Sequence, residues 1–203
     1  MKKILYSLMA VFIGVISIFQ STMAVIEETV SVAGTSFTVG TTTPGEGTGS
    51  GTNTALKFLI NPSGTTDISN LTDTIQGPDF ENIDALWTDQ LAVKMHNKGN
   101  VNLNVVSKSE YINDPDTLRD DIYAQVIEWN DANNNGSVDS GEEGTVYGNN
   151  TILRWRNDTF PIGILAPGQT KGLILRFNGT GITDSNYGMT AVYDFKFTGI
   201  EQP

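Results

Sequence analysis

The sequence predicts an all-β protein, a β-sandwich or barrel preceded by a tethered N-terminal strand. Three observations carry this reading. Short β-rich runs are separated by clusters of Gly, Asn, Asp and Pro. No helix-period pattern of useful length follows the leader. A stretch without any large apolar residue, 40–54, cuts a short apolar strip away from the rest of the chain.

The leader comes first. Lys2 and Lys3 are followed by an apolar run over residues 4–19, then Gln20, Ser21 and the small-residue site Thr22-Met23-Ala24. That order is the signature of a secretory signal peptide cut after Ala24, covering residues 1–24. The alternative is a retained membrane anchor, which would make the chain a pilin-like subunit with a helical stalk. The apolar run falls short of the ~20 residues a spanning helix needs. Cleavage leaves ten basic and 23 acidic residues, a net charge of −13. Such a surface repels nucleic acid and anionic lipid, and favours solubility and cation binding. Its plain reading is a solvated acidic exterior. There is no cysteine, which excludes disulfides, thiolate metal sites and a cysteine nucleophile. Stability must then come from core size, a bound metal or assembly.

The strip at residues 25–39 is strand-like. Val30 and Val32 share one phase, Phe37 and Val39 the other, and Gly34 between them can host a bulge. The next segment, GTTTPGEGTGSGTNT, reads as a flexible linker over residues 40–54. About 15 such residues have a root-mean-square span of roughly 20 Å and an extended reach near ~50 Å, enough to reach a neighbouring molecule. The strip reads as a donor strand in waiting, the alternative being a strip that folds back onto its own body or stays disordered, and residues 55–203 are the sandwich domain.

Within that domain, residues 91–95 and 101–105 alternate apolar and polar around Asn97-Lys98-Gly99-Asn100, which predicts a hairpin. Residues 122–129 and 151–156 read as two further strands. A strand ending at Leu165 meets Ala166-Pro167-Gly168-Gln169, where Pro then Gly suits the centre of a type II turn. The chain returns through residues 173–177. The last strand, 189–197, carries Ala191, Tyr193, Phe195 and Phe197 in one phase.

The sharpest chemical motif is the run from Asp131 to Glu142, which matches the calcium loop D-x-[DN]-x-[DN]-G-x5-E at every specified position. A hard cation wants six to eight oxygens at roughly 2.3–2.6 Å. Asp131, Asn133 and Asn135 supply side-chain oxygens, Ser137 a carbonyl, Asp139 a direct or water-mediated contact, and Glu142 two closing oxygens. Gly136 permits the bend. The flanks are not helical, so this is a bare loop. Its low charge implies affinity in the ~10⁻⁴–10⁻³ M range, with the ion structural. The alternative is a metal-free Asn/Gly-rich turn.

Catalysis has little to work with. His96 is the lone histidine and reads as a turn or surface residue; no G-x-S-x-G elbow or phosphate-binding glycine loop is present. Asp114, Asp116, Asp120 and Asp121 could furnish a glycosidase pair, but a solvated acidic loop is the simpler reading. Arg154-Trp155-Arg156 and Trp87 could form a sugar platform, or be core aromatics with snorkelling arginines. Sequons stand at Asn70, Asn135, Asn149, Asn157 and Asn178.

Several pieces together resemble the TasA/camelysin family of biofilm-matrix fibre proteins and the related archaeal bundling pilins. They are Phe37-Thr38-Val39-Gly40-Thr41 after the leader, the Asn97-Lys98-Gly99-Asn100 turn, and the C-terminal block of Leu165-Ala166-Pro167-Gly168-Gln169-Thr170, Asn186-Tyr187-Gly188 and an aromatic last strand. The resemblance implies an antiparallel jelly-roll-like β-sandwich. It also implies a homopolymer of this chain built by donor-strand complementation, with Val30, Val32, Phe37 and Val39 entering a neighbour's sheet. The long Gly/Thr linker and the acidic loop depart from the family pattern. Burying those side chains gives roughly 1.5–3 kcal/mol each before ordering costs. The expectation is a secreted, non-enzymatic filament subunit holding structural Ca2+, with no nucleic-acid partner and no membrane association after cleavage. The alternative is a monomeric calcium-stabilised surface adhesion module.

Overall fold

The computed structural model describes residues 27–38, 55–63 and 70–202. The proposed signal peptide, Val39, and the Gly/Thr-rich linker lie outside the described residues. In chain order the strands are β1 Glu27–Thr38, β2 Leu56–Leu59, β3 Leu71–Thr72, β4 Thr74–Gln76, β5 Asp79–Phe80, β6 Thr88–Asn97 and β7 Leu103–Asn113. There follow β8 Tyr123–Trp129, β9 Glu143–Thr151, β10 Phe160–Leu165, β11 Thr170–Asn178 and β12 Thr190–Glu201.

They form two sheets packed as a sandwich. One runs β10-β7-β12-β1-β4, with β5 also on β1; the other runs β3-β2-β6-β11-β8-β9. The last strand behaves as its sequence dictates: Ala191, Tyr193, Phe195 and Phe197 all enter the core. There Phe177 meets Phe195 at 5.1 Å between ring centroids, and Phe58 meets Phe197 at 6.0 Å. The pairing is antiparallel except along one flank, where β1 runs parallel to β4 and β5.

Three sequence expectations need correction. Residues 91–105 are not a hairpin: β6 and β7 belong to different sheets. Buried Asn97 turns the chain across the sandwich, donating Nδ2–H to the Val101 and Leu165 carbonyls and accepting the Gly99 N–H on Oδ1. The turn after Leu165 also crosses between sheets, though its geometry is as predicted: Gln169 N–H reaches the Ala166 carbonyl at 3.0 Å, with Gly168 at φ 71°. Residues 152–157 form a short helix, α1 (Ile152–Asn157), instead of a strand. Ile152 and Trp155, three apart, are its buried face, and Trp155 Nε1 donates to the Ala124 carbonyl at 2.8 Å.

Part of the outer face of the second sheet is also covered. β8 is apolar in both phases; Ala124 and Val126 join the main core, whereas Ile127 and Trp129 pack with Ile174, Ala92 and Val138 in a satellite cluster. Val138 belongs to the Asp131–Glu142 loop, so that loop folds down over the sheet as a partial third layer.

Candidate functional site

Two features gather the residues singled out by the sequence. The first is the seat of β1. Val30, Val32 and Phe37 are fully buried. The Phe37 ring lies 5.3–6.3 Å, centroid to centroid, from those of Phe80, Trp87, Phe177 and Tyr193. On one side β1 pairs with β12 from Glu27↔Ile200 to Thr38↔Thr190; on the other it pairs with β4 and β5. The strip expected to pair with a second copy is therefore seated in its own sandwich, as an interior strand. The cause is the apolar slot that β12, β4 and β5 leave for it. The sandwich domain accordingly includes β1 and does not begin at Ala55.

Gly34 does host the break in phase. The register shifts between Val32 and Thr35, Gly34 stands at φ 67°, and its N–H donates to Asp194 Oδ1 at 2.9 Å. Asp194 is buried; burial pushes its pKa up, and the Gly34 hydrogen bond and the Lys196 charge only partly oppose this. At the start of β1, Glu28 Oε2 accepts the N–H groups of Ala55 (2.8 Å) and Leu56 (3.0 Å). Ala55 thus lies beside the beginning of β1, while residue 39 leaves from its end. Ten strand residues cover about 34 Å, which is the separation this places between the described ends, Thr38 and Ala55.

The second feature is the loop after β8, whose predicted ligands Asp131, Asn133, Asn135, Asp139 and Glu142 are tied into one hydrogen-bond network, with Ser137 joined to it by its N–H. Asp131 Oδ1 accepts the Asn135 N–H (3.0 Å), and its Oδ2 accepts the Gly136 N–H (3.1 Å). Asn133 Oδ1 accepts from Asn135 N–H, and Asn135 Oδ1 from Ser137 N–H. Both Nδ2 groups donate to Asp139 Oδ2 at 2.8 Å. Glu142 Oε2 accepts from Trp129 Nε1 and Asp139 N–H, and its Oε1 from Ala132 N–H. Gly136 is at φ 75°, and a Cβ there would stand 2.6 Å from Ser63. The loop's back is thus closed against the residues after β2.

The donor set is that of a hard-cation loop. The Asn133 and Asn135 amide oxygens are taken by backbone N–H groups, and Asp131 and Glu142 are likewise committed to protein donors. Among the described residues no three His, Cys, Asp or Glu side chains converge as a metal-holding group.

No family model, curated protein or solved structure matches the chain.

The remaining candidates are structural. His96 is buried, contrary to the surface reading; its Nδ1 lies 2.9 Å from Thr170 Oγ1, and burial lowers its pKa. Asp114 is not a solvated carboxylate: it pairs with Arg119 at 2.7 Å with its side chain almost fully covered. Asp121 accepts from Asn186 Nδ2; Asp116 and Asp120 are exposed. Trp155 is core, and half-buried Trp87 packs on Phe37 and Phe80, so neither offers a sugar platform. Of the sequon residues, Asn178 Oδ1 is engaged by Thr180, while Asn149 and Asn157 are exposed. Sequence reasoning missed Glu28, Lys94 and Asp194, because the partner of each is distant in the chain. No helix among the described residues is long and apolar enough to cross a membrane.

Proposed function

We propose that this chain is a secreted, non-enzymatic structural subunit of an extracellular filament, a pilus or biofilm-matrix fibre, in which β1 leaves its own sandwich and fills the same slot in the next copy. One observation carries the reading: β1 comes first of the described strands in sequence yet lies inside its sheet, with Phe37 in the centre of an aromatic cluster. A strand placed so can be withdrawn without unthreading anything. Every contact it makes with β12, β4, β5 and Glu28's partners can be remade by an identical strand from a neighbour, the logic of domain swapping. The two arrangements then differ chiefly in the connection and in protein concentration. Residues 39–54 give 17 Cα steps, at most about 60 Å, which exceeds the ~34 Å of cis closure and also allows a neighbour to be reached. Head-to-tail exchange whose rotation between copies does not close a ring propagates a fibre.

The resemblance to TasA/camelysin proteins and archaeal bundling pilins supports the same reading, and the absence of cysteine leaves assembly as a source of stability. A calcium ion in the Asp131–Glu142 loop would be structural, clamping the cover over β8.

Electron microscopy of residues 25–203, secreted and concentrated, tests the proposal. Filaments are expected, and their loss on deleting residues 25–39, with capping of the deleted protein by a peptide of those residues. Filaments from the deleted protein alone would refute strand exchange.

A second reading, a monomeric calcium-stabilised adhesion module, is favoured by the cis-seated β1 and by a depression of about 580 Å³ beside exposed Leu86 (91%) and Tyr187 (77%). A protein that stays monomeric at high concentration and binds glycans on an array would select it.

A further inference from the structure

Lys94 projects from β6 to the outer face of the second sheet, between core residues Val93 and Met95. Its Nζ donates to Asp131 Oδ2 at 2.8 Å and lies 5.1 Å from the centroid of the Trp129 ring. The side chains of Lys94 and Asp131 are only 9% and 1% exposed. An ammonium is thus held under the loop, against the first residue of the cation motif. Asp131 Oδ1 and Oδ2 also accept the N–H groups of Asn135 and Gly136. The loop's innermost acid is therefore paired and ordered by the protein's own cation.

We propose that Lys94 is the loop's tethered cation. It keeps the Asp131–Glu142 loop folded with no metal bound, and a divalent ion enters only by displacing its ammonium from Asp131. The inference rests on the calcium reading only for its second half. Two charges of one sign cannot share a carboxylate cheaply in a covered site, so Lys94 sets the affinity low and sets the identity of the resident ion at low calcium. The glutamate that closes the motif is already bonded to Trp129 Nε1, and the Lys94 ammonium packs on that same ring. Expulsion of Lys94 would alter the surroundings of Trp129, giving an optical signal.

The test compares the full chain with Lys94→Met, which retains the stem over Trp129, and Lys94→Gln. Calcium chloride is titrated by calorimetry and Trp fluorescence, and amide exchange is followed in EDTA. In EDTA the wild-type amides of Asn135 and Gly136 should be protected, and those of both variants exposed. Calcium should restore protection in the variants and bind them at least about tenfold more tightly than the wild type. A purely structural lysine predicts the opposite, affinity equal or lower on substitution. Unchanged or weaker binding by the variants would overturn the proposal while leaving the calcium reading in place. Heat from none of the three proteins at millimolar calcium would overturn displacement and the calcium reading together. Wild-type amides unprotected in EDTA would overturn the tethered-cation role itself.

Discussion

The N–H of Gly34 donates to the buried Asp194 carboxylate across 2.9 Å, and this bond fixes the bulge by which β1 changes phase against β12. The geometry makes this carboxylate one determinant of how firmly the first strand sits.

Asp194 therefore imposes a pH dependence. Its folded pKa is raised above the ordinary 3.8, by burial first. The folded state then binds more protons than the unfolded one between 3.8 and the raised value, so stability falls as pH climbs through that window. Lys196 and Glu110 face the same carboxylate. Asp194→Asn keeps an oxygen for Gly34 and has no charge to bury. Thermal melts between pH 4 and 7 should show a shallower decline for the variant than for the parent; parallel curves would contradict the assignment.

Substituting Gly34 tests the bulge from the other side. At φ 67° an L-residue costs about 1–2 kcal/mol. Gly34→Ala should lower the melting temperature by roughly 2–8 °C, and more of the substituted protein should exchange amides along β1. An unchanged melt would mean that the bulge is not under tension from β12.

Much of this was legible beforehand. The phase break at Gly34, the one-sided aromatic stripe of β12, the type II turn and the existence of the Asp131–Glu142 loop follow from local spacing, which is what side-chain periodicity reports. What was not legible is what long-range partners decide. Ile152 and Trp155 fit a strand edge or a single helical turn equally well, and only the fit of Trp155 beneath Ala124 selects the helix. Residues 91–105 alternate as a hairpin would, but buried Asn97 sends the arms to opposite sheets. Lys94 looks like an ordinary outward lysine until the loop closes over it. The seat of β1 was invisible for the same reason: apolar phases say that a strand needs a partner, not which molecule supplies it.

On the proposed strand exchange, the connection between β1 and β2 would set the balance between closed monomer and fibre. Deleting ten of residues 39–54 leaves seven Cα steps, at most about 25 Å, less than the ~34 Å needed to seat β1 in its own sandwich. The shortened protein should lack the monomer peak in size-exclusion chromatography with light scattering, and elute as oligomers or fibres. A stable monomer with a protected β1 would contradict the exchange account.

The most direct measurement uses a disulfide as a reporter of strand ownership. Thr29 and Thr198 face each other across β1 and β12, with their hydroxyl oxygens 2.9 Å apart, and the chain has no cysteine of its own. In T29C/T198C, oppositely placed cysteines are within bridging range. Oxidised filaments run on a non-reducing gel should give a ladder of covalent multimers, each bond joining one copy's β1 to another's β12. Filaments that dissolve into disulfide-closed monomers would show that every β1 stays at home, and the assembly mechanism proposed here would be wrong.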